Sequence, residues 1–435
     1  MPRRSAAPRV LAYHALACAL LAGCATRGDA AIEAAASGQL AAARQAYDAI
    51  GEHDAPTLRA IARIIVELHA QGRDDARSRA AFAQLRSAGT RAGSTLEWLV
   101  FEGRTGRVKA RALSLLAALG DEAAAGTLRV LARKDDVAML RLALPYYDVE
   151  EQAERLRSLS AHSRAEVRAG AVARLGSASP DADLTLLLRQ LARRDPAPSV
   201  RAAALSALAR QAPTGGPGVL DAFEAALGDG EQSVRMAAAR GLHAFDSERA
   251  GALLSSLIGG DVSHHAIEAA RTVMTAPRVD EPQLSAARGH LHRALLDDDP
   301  KLRSQAAVAF SSLPASLRPV ARLVEALSAE KVASVRLQLA LSIGGAQAPA
   351  AEALRKLMAK DGIDAVTAAA ALADLGEADA RTRLQALGES TSASVRAAAA
   401  RALIGQLGLA HTSRALLFDR YAKVQLAAAG ALLAL

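Results

Sequence analysis

The chain has 435 residues, and its 53 basic and 45 acidic side chains are interleaved along the whole length. A surface for DNA or RNA needs clustered positive charge, so this distribution predicts that nucleic acid is not a partner. Aromatic residues make up only 3% of the chain, which argues against base-stacking platforms and aromatic sugar-binding clefts. We therefore expect a mixed, solvated surface.

The first 23 residues have the parts of an export signal. Three arginines, Arg3, Arg4 and Arg9, precede the apolar run VLAYHALACALL at residues 10–21, and small residues follow it. The run is shorter than the roughly 20 apolar residues that a membrane-spanning helix needs. It therefore predicts a cleaved signal peptide over residues 1–23.

The segment LAGC at residues 21–24 resembles the lipobox of bacterial lipoproteins. The resemblance implies cleavage before Cys24 and acylation of Cys24. It also implies an outer-membrane location facing the periplasm, because Ala25 rather than an aspartate follows. The other cysteine, Cys18, lies in the signal peptide, so the mature chain would keep no thiol for a disulfide, a zinc site or a nucleophile. An ordinary signal peptide with a chance cysteine is the alternative.

Residues 24–102 are expected to form a very short tether followed by an irregular helical cap. The stretches AAASGQLAAARQAYDAI and TLRAIARIIVELHAQG both have a helical pattern. The first resembles a tetratricopeptide-type helix in its small-residue spacing and in Tyr47. Early repeats of the following array are the alternative for this region.

One phrase recurs through residues 103–435. It reads EVRAGAVARLG at Glu166, SVRAAALSALA at Ser199 and SVRMAAARGLH at Ser233. We take the apolar residue before the arginine as the repeat anchor, and successive anchors lie 29 to 35 residues apart. A period in this range is typical of helical repeat proteins. The clear anchors are Val167, Val200, Val234, Leu302, Val335 and Val395, and the weaker ones are Val108, Val137, Ile267, Val366 and Val424, with Ser78 as a further candidate.

Each phrase predicts one helix. In SVRAAALSALARQ, an apolar stripe with a 3.6-residue period contains Val200, Ala203, Ala204, Ala207 and Leu208. Second apolar runs such as DLTLLLRQLARR lie between the phrases, so the repeat unit is a pair of helices. One pair cannot bury its own apolar face, but stacked pairs cover each other. The predicted fold is therefore all-α, a right-handed α-solenoid of stacked helix pairs over residues 103–435.

Two dipeptides predict helix starts. Asp195-Pro196 and Asp299-Pro300 each place a capping carboxylate before a proline that has no amide hydrogen to satisfy. We therefore expect helices to begin at these prolines.

The Val-Arg-x-x-Ala-Ala phrases, with an acid such as Asp195 or Asp229 shortly before them, resemble the HEAT-like repeats of the phycobilisome-lyase type. The resemblance implies a ladder of acid–arginine pairs between neighbouring repeats, interrupted at Ala138, Glu268, Thr367 and Gln425, where other residues replace the arginine. A concave phosphate-binding stripe, as in HEAT-like DNA glycosylases, is the alternative role of the arginines. The ladder arginines are Arg168, Arg201, Arg235, Arg303, Arg336 and Arg396.

The histidines are the only candidates for chemistry. His264 and Glu268 lie four residues apart on one helix face, and stacking could bring them near His290 as a weak metal-ligand set. Solvated or helix-capping histidines are the alternative, so we predict no metal or other cofactor. The sequence contains no G-x-S-x-G stretch and no glycine-rich phosphate loop, so we do not expect an enzyme.

The chain ends in the apolar segment AKVQLAAAGALLAL, which reaches Leu435 without a polar cap. Solenoids usually end with a repeat whose outer face is polar. Leu426, Leu432, Leu433 and Leu435 therefore predict that part of this end is exposed in the monomer and is covered by self-association or by a partner. The alternative is that the leucines face inward and the alanines outward.

Taken together, these features predict a lipid-anchored scaffold or adaptor of the cell envelope. It would bind a protein or peptide partner on the curved surface of its helical repeats. The alternative is a subunit of an envelope enzyme, or a groove with a metal or phosphate-ligand site.

Overall fold

The computed structural model describes residues 28–50, 55–72, 75–132, 136–212, 215–216, 218–242, 244–245, 248–275, 281–314, 317–344, 347–407 and 415–435. Cys24 and the predicted signal peptide lie outside these residues. The described residues form α-helices and short 3-10 turns, and no β-strand occurs among them. The predicted all-α class is confirmed.

The helices follow one another closely along the chain. In chain order they are α1 (Asp29–Ala36), α2 (Leu40–Asp48), α3 (Ala55–Ala70), α4 (Asp75–Ala88), α5 (Gly93–Glu102), α6 (Gly106–Ala118), α7 (Glu122–Leu131), α8 (Val137–Ala143), α9 (Ala153–Leu159), α10 (Ala165–Leu175), α11 (Ala182–Arg194), α12 (Pro198–Gln211), α13 (Val219–Leu227), α14 (Gln232–Leu242), α15 (Glu248–Gly259), α16 (His264–Thr275), α17 (Glu281–Leu295), α18 (Pro300–Ser311), α19 (Val320–Ala329), α20 (Ala333–Ile343), α21 (Ala348–Met358), α22 (Ile363–Asp374), α23 (Ala378–Gly388), α24 (Ala393–Leu407) and α25 (Ala422–Ala434).

Contacts divide the chain into two compact units. The terminal unit comprises Met1–Ala124 and Met358–Leu435, and the central unit comprises Ala125–Leu357. In the central unit the phrase helices α10, α12, α14, α16, α18 and α20 each pack against the next one. Their partners α11, α13, α15 and α17 pack against one another in a second layer, so this unit is a stack of helix pairs.

The repeat anchors form the seam between stacked pairs. Val167, Val200, Val234 and Val424 are completely buried. Five further anchors are buried with at most 6% exposure: Val108, Ile267, Val335, Val366 and Val395. Val137 and Leu302 are half-buried. The sequence period therefore corresponds to a real structural repeat.

The buried stripe of α12 is wider than its sequence predicts. Leu205 is completely buried, whereas Ala203, expected inside, is half-buried. The reason is that α12 packs extensively on three helices, its partner α11 and the neighbouring phrase helices α10 and α14, and touches α13 as well. A helix covered on three sides buries more than one 3.6-residue stripe.

The two aspartate–proline pairs differ in their roles. Asp299 is the N-cap of α18 and accepts a hydrogen bond from the Lys301 amide at 2.8 Å, as expected. The helix after Asp195 was expected at Pro196 but begins at Pro198. Asp195 instead accepts from the Ala197 amide at 2.9 Å within the turn, where it is held for a different purpose described below.

The prediction of a partly exposed C-terminal end is wrong for Leu426 and Leu432 and holds only for the last residues. In α25, Leu426 is 3% exposed and Leu432 is 1% exposed, and the alanines Ala427, Ala428 and Ala429 are also buried. Within the terminal unit, α25 packs on α24 on one side and on α3 and α4 on the other. A Cβ atom at Gly430 would collide with Gln84 of α4, so only glycine permits this approach. This end is covered by α3 and α4, which are distant in the chain, as well as by the adjacent helix α24.

Some of the terminal segment stays accessible: Leu435 is 39% exposed and Leu433 is half-buried.

Among the described helices, none combines the length and the apolar character required to cross a membrane.

Candidate functional site

Four of the six repeat arginines form one recurring arrangement, which we call a rung. The Nε and Nη2 atoms of Arg201 each donate to one carboxylate oxygen of Asp229 at 2.8 Å. Asp229 lies in the turn before the next phrase helix, so the pair joins two repeats. The same two-pronged pairs are Arg168–Asp195, Arg303–Glu330 and Arg396–Asp419.

The third guanidinium nitrogen holds the turn of its own repeat. Nη1 of Arg201 donates to the carbonyl oxygens of Asp195 and Pro196, at 3.0 and 3.3 Å. The carboxylate of Asp229 also accepts from the backbone N–H of Glu231 at 2.9 Å. One planar side chain therefore ties two successive turns together, which the point charge of a lysine could not do.

The rungs are shielded from solvent, which sets the pKa of their acids. The side chains of Arg201 and Asp229 are each 15% exposed. The hydrogen bond from Arg201 is the largest influence on Asp229 and holds its pKa below the ordinary value, against the opposing effect of burial. For Asp195, burial is the largest influence and raises the pKa, but hydrogen bonds from Arg168 and the Ala197 amide outweigh it, so the pKa is lowered.

Arg235 and Arg336 do not complete a rung. Nη1 of Arg235 donates to the carbonyl oxygens of Asp229 and Gly230, at 2.6 and 3.0 Å. Nη1 of Arg336 donates to the carbonyl oxygen of Glu330 at 2.8 Å. Neither arginine is paired with a carboxylate among the residues that the structure describes.

Two positions without arginine have acquired other contacts. Glu268 accepts from Nε of Arg240 on the neighbouring helix α14 at 2.8 Å and from Nη2 of Arg271 at 2.7 Å. Here the acid occupies the position of a rung arginine, and arginines are its partners. Gln425 donates from Nε2 to the carbonyl oxygen of Asp419 at 2.6 Å, as a rung arginine does with Nη1. Its Oε1 lies 2.9 Å from Nε2 of His69 and links α25 to α3.

The three weak metal-ligand candidates have separate protein partners. His264 contacts the Gln305 side chain through Nδ1. His290 is completely buried, with Nδ1 2.6 Å from the carbonyl oxygen of Ile258. Glu268 is engaged by its two arginines. In the described part of the chain, no three His, Cys, Asp or Glu side chains converge on a point where a metal could bind.

A cavity of about 350 Å³ lies in the central unit at the turn that leads into α16. Its walls combine apolar side chains of α13 and α15 with polar groups of the turn and of the first residues of α16. They are Leu227, Leu253, Ser256, Leu257, Gly260, Asp261, Ser263 and His265.

Residues 185–275 match the family model described as HEAT repeats. This HEAT-repeat segment includes the Arg201–Asp229 rung, Arg235 and every residue of the cavity wall. The repeat assigned from the Val-Arg phrases therefore agrees with an independent comparison over this part of the chain.

Solved structures that resemble the chain do so distantly. An engineered protein is 21% identical, with 86% of this chain and 98% of that chain covered, at a TM-score of 0.28. A structure of Kap95p with RanGDP is 14% identical over 90% of this chain and 57% of the other, at 0.34. Kap121p is 14% identical over 91% and 49%, at 0.35. The chain thus spans about half the length of the two Kap proteins. No curated protein matches it.

Sequence reasoning missed two rung acids, Glu330 and Asp419. A signal for them was present, because each lies five residues before a repeat anchor, as Asp195 and Asp229 do. The cavity had no sequence signal, since its wall comes from three helices and a turn that only the packing brings together.

Proposed function

We propose that the chain is a lipid-anchored scaffold of the cell envelope that binds a protein or peptide partner on its helical repeats. The observation that carries this is the use of the repeat arginines. Four of them are bound inside the stack by carboxylates of neighbouring repeats. These arginines therefore join neighbouring repeats and do not form a phosphate-binding stripe. The solvent-exposed faces of the helices remain available to contact a partner.

The chemistry of such a surface supports a protein partner. Large apolar side chains project from the central unit, with Leu186 on α11 50% exposed and Leu296 at the end of α17 76% exposed. Apolar side chains within a polar surface are the groups that protein interfaces bury. Stacked repeats also provide an extended surface, which is how repeat proteins commonly bind partners.

The location rests on the lipobox-like segment that ends at Cys24, which lies outside the described residues. Replacing Cys24 with serine should move the full-length chain from the membrane fraction to the soluble fraction, because acyl chains would supply the attachment. The readout is fractionation of cells with immunodetection, together with incorporation of labelled palmitate. Cys18→Ser is the matched control and should change neither. A Cys24→Ser variant that still sediments with outer membranes would contradict the anchor.

The scaffold role is tested in living cells with the acylated chain. Chemical crosslinking followed by affinity capture and mass spectrometry should recover an envelope protein in fixed proportion to the chain. Replacing both Leu186 and Leu296 with serine should lower the yield of the crosslinked partner, because these side chains would contact it. Recovery of the chain alone at every crosslinker dose would argue against a scaffold and favour the alternative of an enzyme subunit acting transiently.

A further inference from the structure

Helix α17 carries two histidines that are packed inside the central unit. The helix packs on α15, α16 and α18. His290 is completely buried. His292 is half-buried, and its ring stacks on Phe310 of α18 at a distance of 5.5 Å between ring centroids. Neither histidine takes part in a rung, although both lie within the stack of helices.

The hydrogen bond of His290 determines where its ring can take up a proton. Nδ1 lies 2.6 Å from the carbonyl oxygen of Ile258, near the end of α15. Because a carbonyl oxygen only accepts, Nδ1 carries the hydrogen and Nε2 holds the lone pair. Nε2 is buried and has no hydrogen-bond partner among the described residues. His290 does not converge with other candidate metal ligands there, so this lone pair is open to a proton.

His292 has the same difficulty in accommodating a charge. Its Nε2 is also buried without a hydrogen-bond partner in the described part of the chain. A protonated imidazole carries two N–H donors and a full charge, and burying these groups unpaired costs free energy. Burial is accordingly the largest influence on both rings, and it lowers the pKa of His290 and the pKa of His292 below the ordinary value.

The charges that act on the two rings are positive. For His290, the hydrogen bond to the carbonyl oxygen raises the pKa, but burial and the charge of Arg293 outweigh it. For His292, the charges of Arg322 and Arg288 add to the effect of burial and lower the pKa further. A proton on either ring would therefore place a new positive charge near others.

The acids around α17 do not compensate for such a charge. None of them forms a hydrogen bond or an ion pair with either histidine among the described residues. Glu268 on α16 is engaged by Arg240 and Arg271, and Glu325 on α19 is paired with Arg322. Other described charged or titratable groups on these helices and the turn after α17 are Arg249 on α15, His264 and His265 on α16, Glu281, Arg288 and Arg293 on α17, Asp297, Asp298 and Asp299 in the turn, and Lys301 and Arg303 on α18.

The cavity described above lies against the helix that holds His290. Leu253 and Leu257 of α15 form part of its wall. Helix α15 therefore lacks packing partners on the side of the cavity, and it can move there without first breaking contacts. The carbonyl oxygen of Ile258, which accepts from His290, belongs to this helix.

We propose that α17 and its seat on α15, α16 and α18 form an acid-sensitive joint, which opens when His290 and His292 take up protons. The closed joint keeps both rings neutral, and the opened joint lets water reach Nε2 of each ring. Opening exposes Leu291 and Ala294 of α17, which are completely buried in the closed joint. The pH would thus control how much apolar surface the central unit presents. This inference is independent of the proposed function.

The direction of the response follows from the lowered pKa values of the two histidines. Above about pH 6.5 both histidines are neutral whether the joint is closed or open, so they do not oppose closure. Below that value the opened joint binds protons that the closed joint does not bind, and closure is progressively lost. The pKa values of the rung acids lie below their ordinary values of about 4, so the rungs stay charged at about pH 5.5.

The test is hydrogen–deuterium exchange of the full-length chain in detergent, at about pH 7.5 and at about pH 5.5, expressed as a protection factor for each helix. Protection factors already correct for the slower chemical exchange at the lower pH. Because about pH 5.5 is one unit below the ordinary histidine pKa, each histidine should raise the population of the opened joint about tenfold. Protection of α17 should therefore fall by about tenfold to a hundredfold, whereas protection of α11 and α12 should not change.

Two substitutions remove the titrating groups and keep most of the contacts. His292→Phe keeps a ring against Phe310, and His290→Asn keeps a donor for the carbonyl oxygen of Ile258. Each should make the loss of protection in α17 about tenfold smaller. His162→Asn is the matched control in the same unit. Nδ1 of His162 accepts from a backbone amide, as an asparagine side chain can, so this variant should keep the full acid response.

Three results would overturn the proposal: equal protection of α17 at the two pH values, an acid response that persists in a folded chain with both substitutions, or an equal loss of protection in α11, α12 and α17. The last would mean that acid acts on the whole central unit and not on a joint. If His290→Asn is not folded by circular dichroism, exchange of the wild type and of His292→Phe decides the question.

Discussion

Arg201 illustrates how much one side chain contributes to a repeat. Its guanidinium is paired with Asp229 on one edge and with the carbonyl oxygens of its own turn on the other. The side chains of both ions are only 15% exposed to solvent. A pair in this position is worth more than a surface ion pair, because removing one partner leaves the other buried and unpaired.

Arg201→Met should therefore lower the free energy of unfolding by about 2–3 kcal/mol, since methionine retains most of the volume but leaves Asp229 without its partner. The measurement is urea denaturation followed by circular dichroism. Arg322→Met removes an ion pair whose side chains are 66% and 69% exposed, and should cost less than about 0.5 kcal/mol. Equal losses for the two variants would show that the rungs contribute nothing special.

The rungs also predict a dependence on pH. The folded-state pKa values of Asp195, Asp229, Glu330 and Asp419 all lie below their ordinary values. The unfolded chain then binds protons at higher pH than the folded chain, so the stabilisation is complete above the ordinary pKa and is lost as pH falls through the lowered one. The melting temperature should fall below about pH 4. Arg201→Met should flatten this fall, and parallel profiles for variant and wild type would contradict the mechanism.

At the scale of the helix, α12 shows how the repeats are held together. Helix α12 packs on α10, α11 and α14, and its anchor Val200 is completely buried, as are Ala204, Leu205, Ala207 and Leu208. The small alanine side chains allow the neighbouring helices to approach closely. The energy of the seam is therefore mostly that of apolar burial, with the rungs fixing the register of the turns.

Val200→Asp should be severely destabilising, by about 4 kcal/mol or more, because it places an unpaired charge in the seam between stacked helix pairs. Ser206→Asp on the exposed side of the same helix should change stability by less than about 1 kcal/mol. Thermal melts of the two variants provide the comparison. An unchanged melting temperature for Val200→Asp would mean that the helix faces the other way.

Helix α25 gives a second prediction at this scale. Leu432 is 1% exposed, so Leu432→Lys removes a buried apolar contact. It should lower the free energy of unfolding of the terminal unit by about 2–5 kcal/mol. Leu435→Lys, at a residue that is 39% exposed, is the control and should have little effect. Light scattering should give the same mass for both variants and the wild type. A different result would contradict this prediction. If the wild type were a dimer and Leu432→Lys converted it to a monomer of unchanged stability, the hypothesis of self-association through α25 would be supported.

At the scale of the whole molecule, the sequence predicts the repeated helix pairs but not the contacts that occur only once in the fold. The spacing of Val167, Val200 and Val234 was enough for the helix pairs, because a structural period leaves a sequence period. The burial of Leu432 could not be foreseen, since the helices that cover it are about 350 residues away in the chain. The missing partner of Arg235 did leave a sequence signal, because Val262 rather than an acid lies five residues before the anchor Ile267.

The contact between α25 and α3 also has a consequence for synthesis. His69 and Gln425 are 356 residues apart, so α3 completes its packing only with a helix that is made much later. At about 5–20 residues per second, a ribosome needs on the order of 20 to 70 seconds to supply the intervening chain. During that interval α3 and α4 carry an apolar face that α25 covers in the finished chain. Newly made chains should therefore expose this face until α25 has been synthesised and can pack on it.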